Sequence, residues 1–202
     1  RPPINGDYDI YVGVAGTTMR FLTSYLTLGH GRFRLDGNER MRERPIGHLL
    51  AAMNQLQADV KSEYDNDCPP VIINADGLPG GQCRIPVNMS SQYISSLLIS
   101  APYARNGMQI ETEGEVASKP YIDMTVQMMR WFGVEVEREA YARFTVYPSE
   151  YVSPLNYFIE PDASSASYFQ AVVAVLGGSA VIKGLGKLSV QGDVRFADAL
   201  RK

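Results

Sequence analysis

Two helices opened by proline, at Pro45 and Pro120, stand 75 positions apart in this 202-residue chain, and the same succession of segments surrounds each. The first copy reads as a strand over 8–12, a helix over 17–28 closed by Gly29, and a strand over 32–35. A second helix follows, with Pro45 at its first position and Ile46, Leu49, Leu50, Met53 and Leu56 as its buried stripe. Strands over 58–63 and 71–74 complete it. The second copy has a strand over 82–87, a helix opened by Ser90-Ser91-Gln92, and a strand over 108–113 ended by Gly114. A helix opened by Ser118-Lys119-Pro120 and stopped by Gly133 comes next, then strands over 134–138 and 143–147. A third copy begins with a strand over 156–160 and a helix opened by Asp162-Ala163-Ser164-Ser165. It continues with a strand over 179–183 and a helix from Gly192-Asp193 that runs off the end at Lys202. A period of this size is a domain-sized β-α-β-α-β-β unit, not a short solenoid repeat. The fold class is therefore α/β, built of repeated β-α-β-α-β-β units. The proline-containing stretch over 147–154 is the expected boundary, which divides the chain into 1–150, with two full repeats, and 151–202, with an incomplete one. The unfinished third copy and the Arg1-Pro2-Pro3 start are expected to be cuts within a longer polypeptide.

Each copy places hydroxyl or amide side chains where a helix starts: Thr17 and Thr18, then Ser90, Ser91 and Gln92, then Ser164 and Ser165. Such residues are good N-caps. Helix N-termini also carry unpaired N–H groups and a positive dipole end, so several converging on one point make an anion site. The first is the sharpest: in Val14-Ala15-Gly16-Thr17-Thr18-Met19-Arg20, Gly16 permits close backbone approach and Arg20 adds charge one turn in. The chain is acidic overall, with net charge −3, which argues against a general nucleic-acid binder. Yet residues 20–44 hold six arginines (Arg20, Arg32, Arg34, Arg40, Arg42, Arg44) against Asp36, Glu39 and Glu43. That local excess suits a compact anionic ligand better than a long polyanion, with Arg32 and Arg34 read as solvated on a strand. No apolar run approaches the ~20 residues that cross a bilayer. Cys68 and Cys83 fit neither a disulfide framework nor metal-ligand spacing, and a reducing cytoplasm is the expected compartment.

The five stretches Ala15-Gly16-Thr17-Thr18-Met19-Arg20, Glu39-Arg40-Met41-Arg42-Glu43-Arg44-Pro45-Ile46-Gly47-His48-Leu49, Ser90-Ser91-Gln92-Tyr93, Ser118-Lys119-Pro120-Tyr121-Ile122-Asp123 and Asp162-Ala163-Ser164-Ser165-Ala166-Ser167-Tyr168 occur in order at matching separations. Together they resemble the 3-phosphoshikimate 1-carboxyvinyltransferase (EPSP synthase) family over nearly the whole chain. The resemblance implies a two-lobed, inside-out α/β barrel, each lobe of three repeats, with one lobe largely present here (1–150, binding shikimate 3-phosphate) and the other only begun. It implies transfer of the enolpyruvyl group of phosphoenolpyruvate to the 5-hydroxyl of shikimate 3-phosphate, in the shikimate pathway to aromatic amino acids, with no metal or organic cofactor. By the same resemblance, Ser90, Ser91 and Ser118 hold the 3-phosphate, and Tyr121 and Gln92 meet the ring. Arg44, with backbone of Gly16 and Thr17, takes phosphoenolpyruvate, where the herbicide glyphosate also sits. Arg20 and Asp162 border that site. Arginine's planar fork can meet a carboxylate or phosphate with two charged hydrogen bonds of about 1.5–3 kcal/mol each, more than an exposed helix dipole supplies.

This chain departs from the family at Val14, where asparagine is usual. Lys119 is either a further anion contact or a solvated helix-start lysine, and His48 is expected to be structural. The family's catalytic acid–base residues, its N-terminal lysine-serine-arginine contacts and its later phosphoenolpyruvate ligands have no counterpart in these 202 residues. The isolated chain is accordingly expected to bind substrate with little or no turnover, and the missing remainder of the second lobe is an expected partner. Two other readings stay open at this point. One is a related transferase acting on a nucleotide sugar, whose reactive cysteine would be Cys68 or Cys83. The other is a non-catalytic binding module using the arginines as a polyanion patch.

Overall fold

A computed structural model describes residues 5–86, 90–114, 116, 118–186 and 189–201. The chain separates into two compact units, Arg1–Ser153 and Pro154–Lys202.

The first unit carries the repeat twice. Its first copy is β1 (Tyr8–Tyr11), α1 (Gly16–Leu26), β2 (His30–Asp36), α2 (Glu39–Arg42), α3 (Gly47–Gln55), β3 (Asp59–Ser62) and β4 (Val71–Asp76). The second is β5 (Gly81–Pro86), α4 (Ser91–Ser100), β6 (Met108–Glu113), α5 (Lys119–Trp131), β7 (Glu137–Glu139) and β8 (Arg143–Val146). Each copy forms a four-stranded sheet of the same design, ordered β1-β2-β4-β3 and β5-β6-β8-β7. In both, the helix-linked pair is parallel and the other two pairings are antiparallel. The first helix of each copy is the crossover that makes its strands parallel, and the closing hairpin makes its own pair antiparallel.

One apolar core runs through both copies, from Met19, Leu26 and Phe33 to Leu97, Ile110 and Phe144. The copies meet where α1 packs on α4 and α3 packs on β5. Eight of the ten residues of α4 are buried, four of them serines. Small side chains there let neighbouring helices approach closely; the Ser95 and Ser96 hydroxyls find partners, and the buried Ser100 hydroxyl has none among the described residues. Ser96 Oγ donates to the Arg20 carbonyl (2.7 Å) and shares a 2.6 Å bond with the Ser24 hydroxyl, while Ser95 and Thr125 share one of 2.7 Å. Successive links from Thr17 to Gln92 and from Ser24 to Ser96 ascend both helices together, so α1 and α4 run parallel. α5 joins them in the same direction. Ser95 meets Thr125, and the segment at Tyr151 and Val152 ties the Ile99 end of α4 to the Phe132 end of α5.

Three expectations fail. Pro45 does not open the second helix: α2 stops at Arg42 and α3 restarts at Gly47, with Ile46 as its N-cap. Proline disfavours helical geometry in the residue before it, and the amides of Ile46 and Gly47 are drawn instead to the Asp67 carbonyl at 2.8 and 3.1 Å. The strand expected over 134–138 pairs later, as β7, because Val134 and Val136 are buried in the core while the pairing falls to exposed residues. In the second unit, α6 (Ala163–Leu176) forms, followed by a 3₁₀ turn at Gly192–Arg195 and α7 (Phe196–Ala199), but the strands expected over 156–160 and 179–183 do not. Phe158, Ile159 and Val181 lie exposed there, and an extended segment with no partner strand leaves its backbone groups unpaired. The expected ends at Val87 and Lys202 lie outside the described residues. Among the described residues no helix is long and apolar enough to cross a membrane.

Candidate anion-binding site

The loop after β1 turns tightly, with the Ala15 amide on the Val12 carbonyl (3.1 Å), and delivers α1 with Ala15 as N-cap. No side chain caps this helix. Thr17 and Thr18, placed by the sequence either to cap the helix or to offer their hydroxyls, are exposed and do not cap it, and the Thr17 hydroxyl accepts from Gln92 Nε2 at 2.9 Å. The helix begins one residue earlier than the threonines, at Gly16, so their hydroxyls project from its first turn and cannot reach back over its end. The first amides of α1 are thus left to whatever approaches the N-terminus, and what approaches is Arg44. A Cβ placed on Gly16 would fall 2.7 Å from Arg44 Cζ and Nη2, and nearer still to Nη1. Only glycine leaves that space.

The arginine-rich stretch is sorted by its partners. Arg34 meets Glu63 through Nε (2.9 Å) and Nη2 (2.6 Å), and Asp36 through Nη1 (3.1 Å). Arg42 grips both oxygens of Asp36 at 2.9 and 2.6 Å. The Arg42 fork holds the Asp36 carboxyl below its usual range, and Arg34 does the same for Glu63. Arg34 is therefore locked in an ion pair and not solvated, and a polyanion patch built on these side chains is already neutralised from within. Arg40 pairs with Glu43, at 3.4 Å in an exposed pair worth little. Arg44 differs: among the described residues it is in no ion pair, unlike Arg34, Arg40 and Arg42. It borders a cavity of about 460 Å³ together with Val14, Asn38, Arg40, Glu43 and Pro45. The side chain at 14 is mostly exposed there, so valine leaves the cavity without the polar contact an asparagine could make.

The start of α4 is tied to the start of α1. Ser90 is its N-cap and accepts from the Gln92 amide at 3.3 Å. The Gln92 side chain accepts from Arg20 Nη1 (2.5 Å) while donating to Thr17, and so bridges two of the expected site residues. Tyr93, next along, is buried; its hydroxyl donates to the Pro45 carbonyl at 2.7 Å, and Arg20 lies over its ring at 5.1 Å. Thr17, Ser91, Gln92 and Tyr121 then line one end of a groove of about 580 Å³ that continues between α4 and α5 along Ile99, Met128 and Phe132. The polar end lies at the N-termini and the apolar end at the C-termini.

Ser118 precedes α5 in a left-handed conformation (φ +56°) that non-glycine residues rarely adopt, and its hydroxyl does not cap the helix. Lys119, open to either reading from sequence, sets its ammonium 5.4 Å over the Tyr141 ring. Asp162 belongs to the second unit, where it caps α6 by accepting from the Ser164 amide (2.9 Å) and Ser165 hydroxyl (2.6 Å). His48 is exposed on α3. Neither cysteine is poised as a nucleophile. Burial pushes the Cys83 thiol up to about 12, and desolvation also raises Cys68. Tyr93 and the Asp36–Arg42 pair are contributors that pattern reading missed. Their partners are dozens of residues away or on a helix turn, where no local spacing signals them.

The sequence profile of the EPSP synthase (3-phosphoshikimate 1-carboxyvinyltransferase) family matches residues 3–202. Proteins named 3-phosphoshikimate 1-carboxyvinyltransferase are similar: that of Shewanella denitrificans is 50% identical over 96% of this chain, and that of Sulfurovum sp. 49% identical over 96%. The Marinomonas sp. protein is 48% identical over 98%. The chain covers 45%, 46% and 47% of these three, about half the length of the curated relatives it matches. Two solved structures of EPSP synthase from Acinetobacter baumannii superpose with a TM-score of 0.69 at 24% identity, covering 83% of this chain and 36–37% of theirs. The duplicated β-α-β-α-β-β unit, the shared fold and the near end-to-end sequence match lead to one conclusion: this chain belongs to the EPSP synthase family.

Proposed function

We propose that this chain is the substrate-binding part of a 3-phosphoshikimate 1-carboxyvinyltransferase, which moves the enolpyruvyl group of phosphoenolpyruvate onto the 5-hydroxyl of shikimate 3-phosphate. The observation that carries the reading is Arg44, a guanidinium in no ion pair among the described residues, laid against Gly16 at an uncapped helix start. An anionic carboxylate or phosphate satisfies the arginine fork and the free amides of Gly16 and Thr17 together. Arg44, Gly16 and Thr17 are accordingly assigned to phosphoenolpyruvate, with Arg20 beside them. Ser90, Ser91, Gln92, Ser118 and Tyr121 are assigned to shikimate 3-phosphate, whose ring suits the groove that Ser91, Gln92 and Tyr121 border. Asp162 is assigned to the edge of the site in the assembled enzyme.

In this reading residues 1–150 form the shikimate 3-phosphate lobe and 151–202 begin the second. General acid–base catalysis needs a proton carrier within hydrogen-bond reach of substrate. No pair in this chain is assigned that role, so turnover depends on polypeptide beyond these residues. A cytoplasmic setting belongs to the same proposal, supported by Cys68 and Cys83 standing as free thiols. Titration calorimetry with shikimate 3-phosphate, phosphoenolpyruvate and RNA tests the binding roles, and a phosphate-release assay tests turnover. Binding of both small anions without RNA binding, and little phosphate release, is expected. RNA binding with steep salt dependence and no sugar-phosphate binding contradicts the proposal, and so does family-level turnover by the chain alone.

A further inference from the structure

We infer that Asp36 is a positioning residue for Arg44: by gripping Arg42 it sets where the anion-binding guanidinium stands over Gly16. The inference rests on the reading of Arg44 as the phosphoenolpyruvate ligand.

Asp36 ends β2 with a side chain only 11% exposed. Its carboxylate accepts from four N–H groups: the Gly37 amide (2.8 Å), Arg42 Nε (2.9 Å) and Nη2 (2.6 Å), and Arg34 Nη1 (3.1 Å). Its backbone is tied to the site as well. The Asp36 carbonyl accepts from the Val12 amide at 2.8 Å, and the Asn38 amide donates to the Gly13 carbonyl at 3.2 Å. One residue thus joins the loop that delivers Gly16 to the short helix that delivers Arg44. α2 has a single turn and little stability of its own. Two residues past Arg42 the chain has already left the helix, its Arg44 amide on the Met41 carbonyl at 3.1 Å. On the far side, the Tyr93 hydroxyl holds the Pro45 carbonyl. Arg44 is therefore pinned from both flanks, and among the described residues its head group is in no ion pair.

Charge and position predict opposite signs for Asp36→Asn. Removing a nearby negative charge strengthens an anion site on Coulomb grounds. Releasing Arg42 loosens α2 and lets Arg44 leave its place, which weakens it. The experiment is calorimetric titration of the chain with phosphoenolpyruvate, comparing Asp36→Asn with Glu63→Gln, which cuts the same ion network at Arg34 without touching Arg42. Arg44→Ala is run alongside, and circular dichroism checks folding. The expected result is an affinity about tenfold weaker for Asp36→Asn, equivalent to one misaligned charged hydrogen bond, with Glu63→Gln within about twofold of the parent. Equal or tighter binding by Asp36→Asn overturns the inference, as does an equal loss in Glu63→Gln. Should Asp36→Asn fail to fold, Arg42→Lys, which keeps the charge but loses the fork, is read by the same criteria. If Arg44→Ala weakens binding and neither clamp variant does, only the positioning role falls. If Arg44→Ala has no effect, or the parent chain binds no phosphoenolpyruvate, the reading beneath it falls too.

Discussion

Replacing Gly16 with alanine adds one methyl group in the place where Arg44 lies. The new Cβ would stand 2.7 Å from two atoms of the guanidinium, whereas carbon and nitrogen at rest keep about 3.5–4.0 Å. The arginine must therefore retreat by about 1 Å or rotate away. Gly16 is helical and needs no left-handed backbone, so alanine carries no conformational penalty there and favours the helix by up to about 1 kcal/mol. Stability is expected to hold while binding suffers. Losing alignment of one charged hydrogen bond, at about 1.5–3 kcal/mol, weakens phosphoenolpyruvate about tenfold to a hundredfold. Calorimetry with phosphoenolpyruvate, beside a thermal melt, reads both quantities. Shikimate 3-phosphate, assigned to the groove, should bind within about twofold of the parent. A Gly16→Ala chain that binds phosphoenolpyruvate as tightly as the parent refutes the argument that this contact shapes the site.

Arg44→Ala should weaken phosphoenolpyruvate far more than shikimate 3-phosphate, and Ser90→Ala the reverse; the opposite pattern in paired titrations means the half-sites are exchanged. Ser90→Ala also removes the α4 cap and should cost about 1 kcal/mol in urea unfolding. Asp36 and Glu63 ionise more readily folded than unfolded, so the unfolded chain binds more protons in acid. Their stabilisation is complete above the ordinary carboxylate pKa of about 4 and is lost as pH falls through the lowered folded values. Urea midpoints at pH 7 and pH 3 should therefore differ less for an Asp36→Asn, Glu63→Gln double variant than for the parent, and an equal difference rejects the assignment. Cys83, buried with its thiol pushed up to about 12, should react with a disulfide reagent at pH 8 only on unfolding; immediate native-state labelling contradicts its burial.

The repeat was legible because each copy buries its own stripe. Ile94, Leu97 and Leu98 mark α4, and Phe33 and Leu35 mark β2, whatever else the chain does. The turn at Gly16 was legible from small residues between a strand and a helix. Pattern could not show that Arg34 and Arg42 would be consumed by Asp36 and Glu63, for Arg34 and Glu63 are brought together only by the pairing of β2, β4 and β3. Nor could it show Tyr93 donating to Pro45 across 48 positions. The second unit was misread for a related reason. Val181 and Ile159 carry strand propensity, but a strand exists only beside another, and the described residues of 154–202 supply none.

Nuclear magnetic resonance on the ¹⁵N-labelled chain, titrated with phosphoenolpyruvate, tests the central claim most directly, because it reads the amides of Gly16 and Thr17 and the Arg44 Nε–H individually. Those three signals should move together and saturate with one dissociation constant, while those of the Asp36–Arg42 clamp stay in place. Shifts confined to other residues, or none at concentrations where the ligand binds, contradict it.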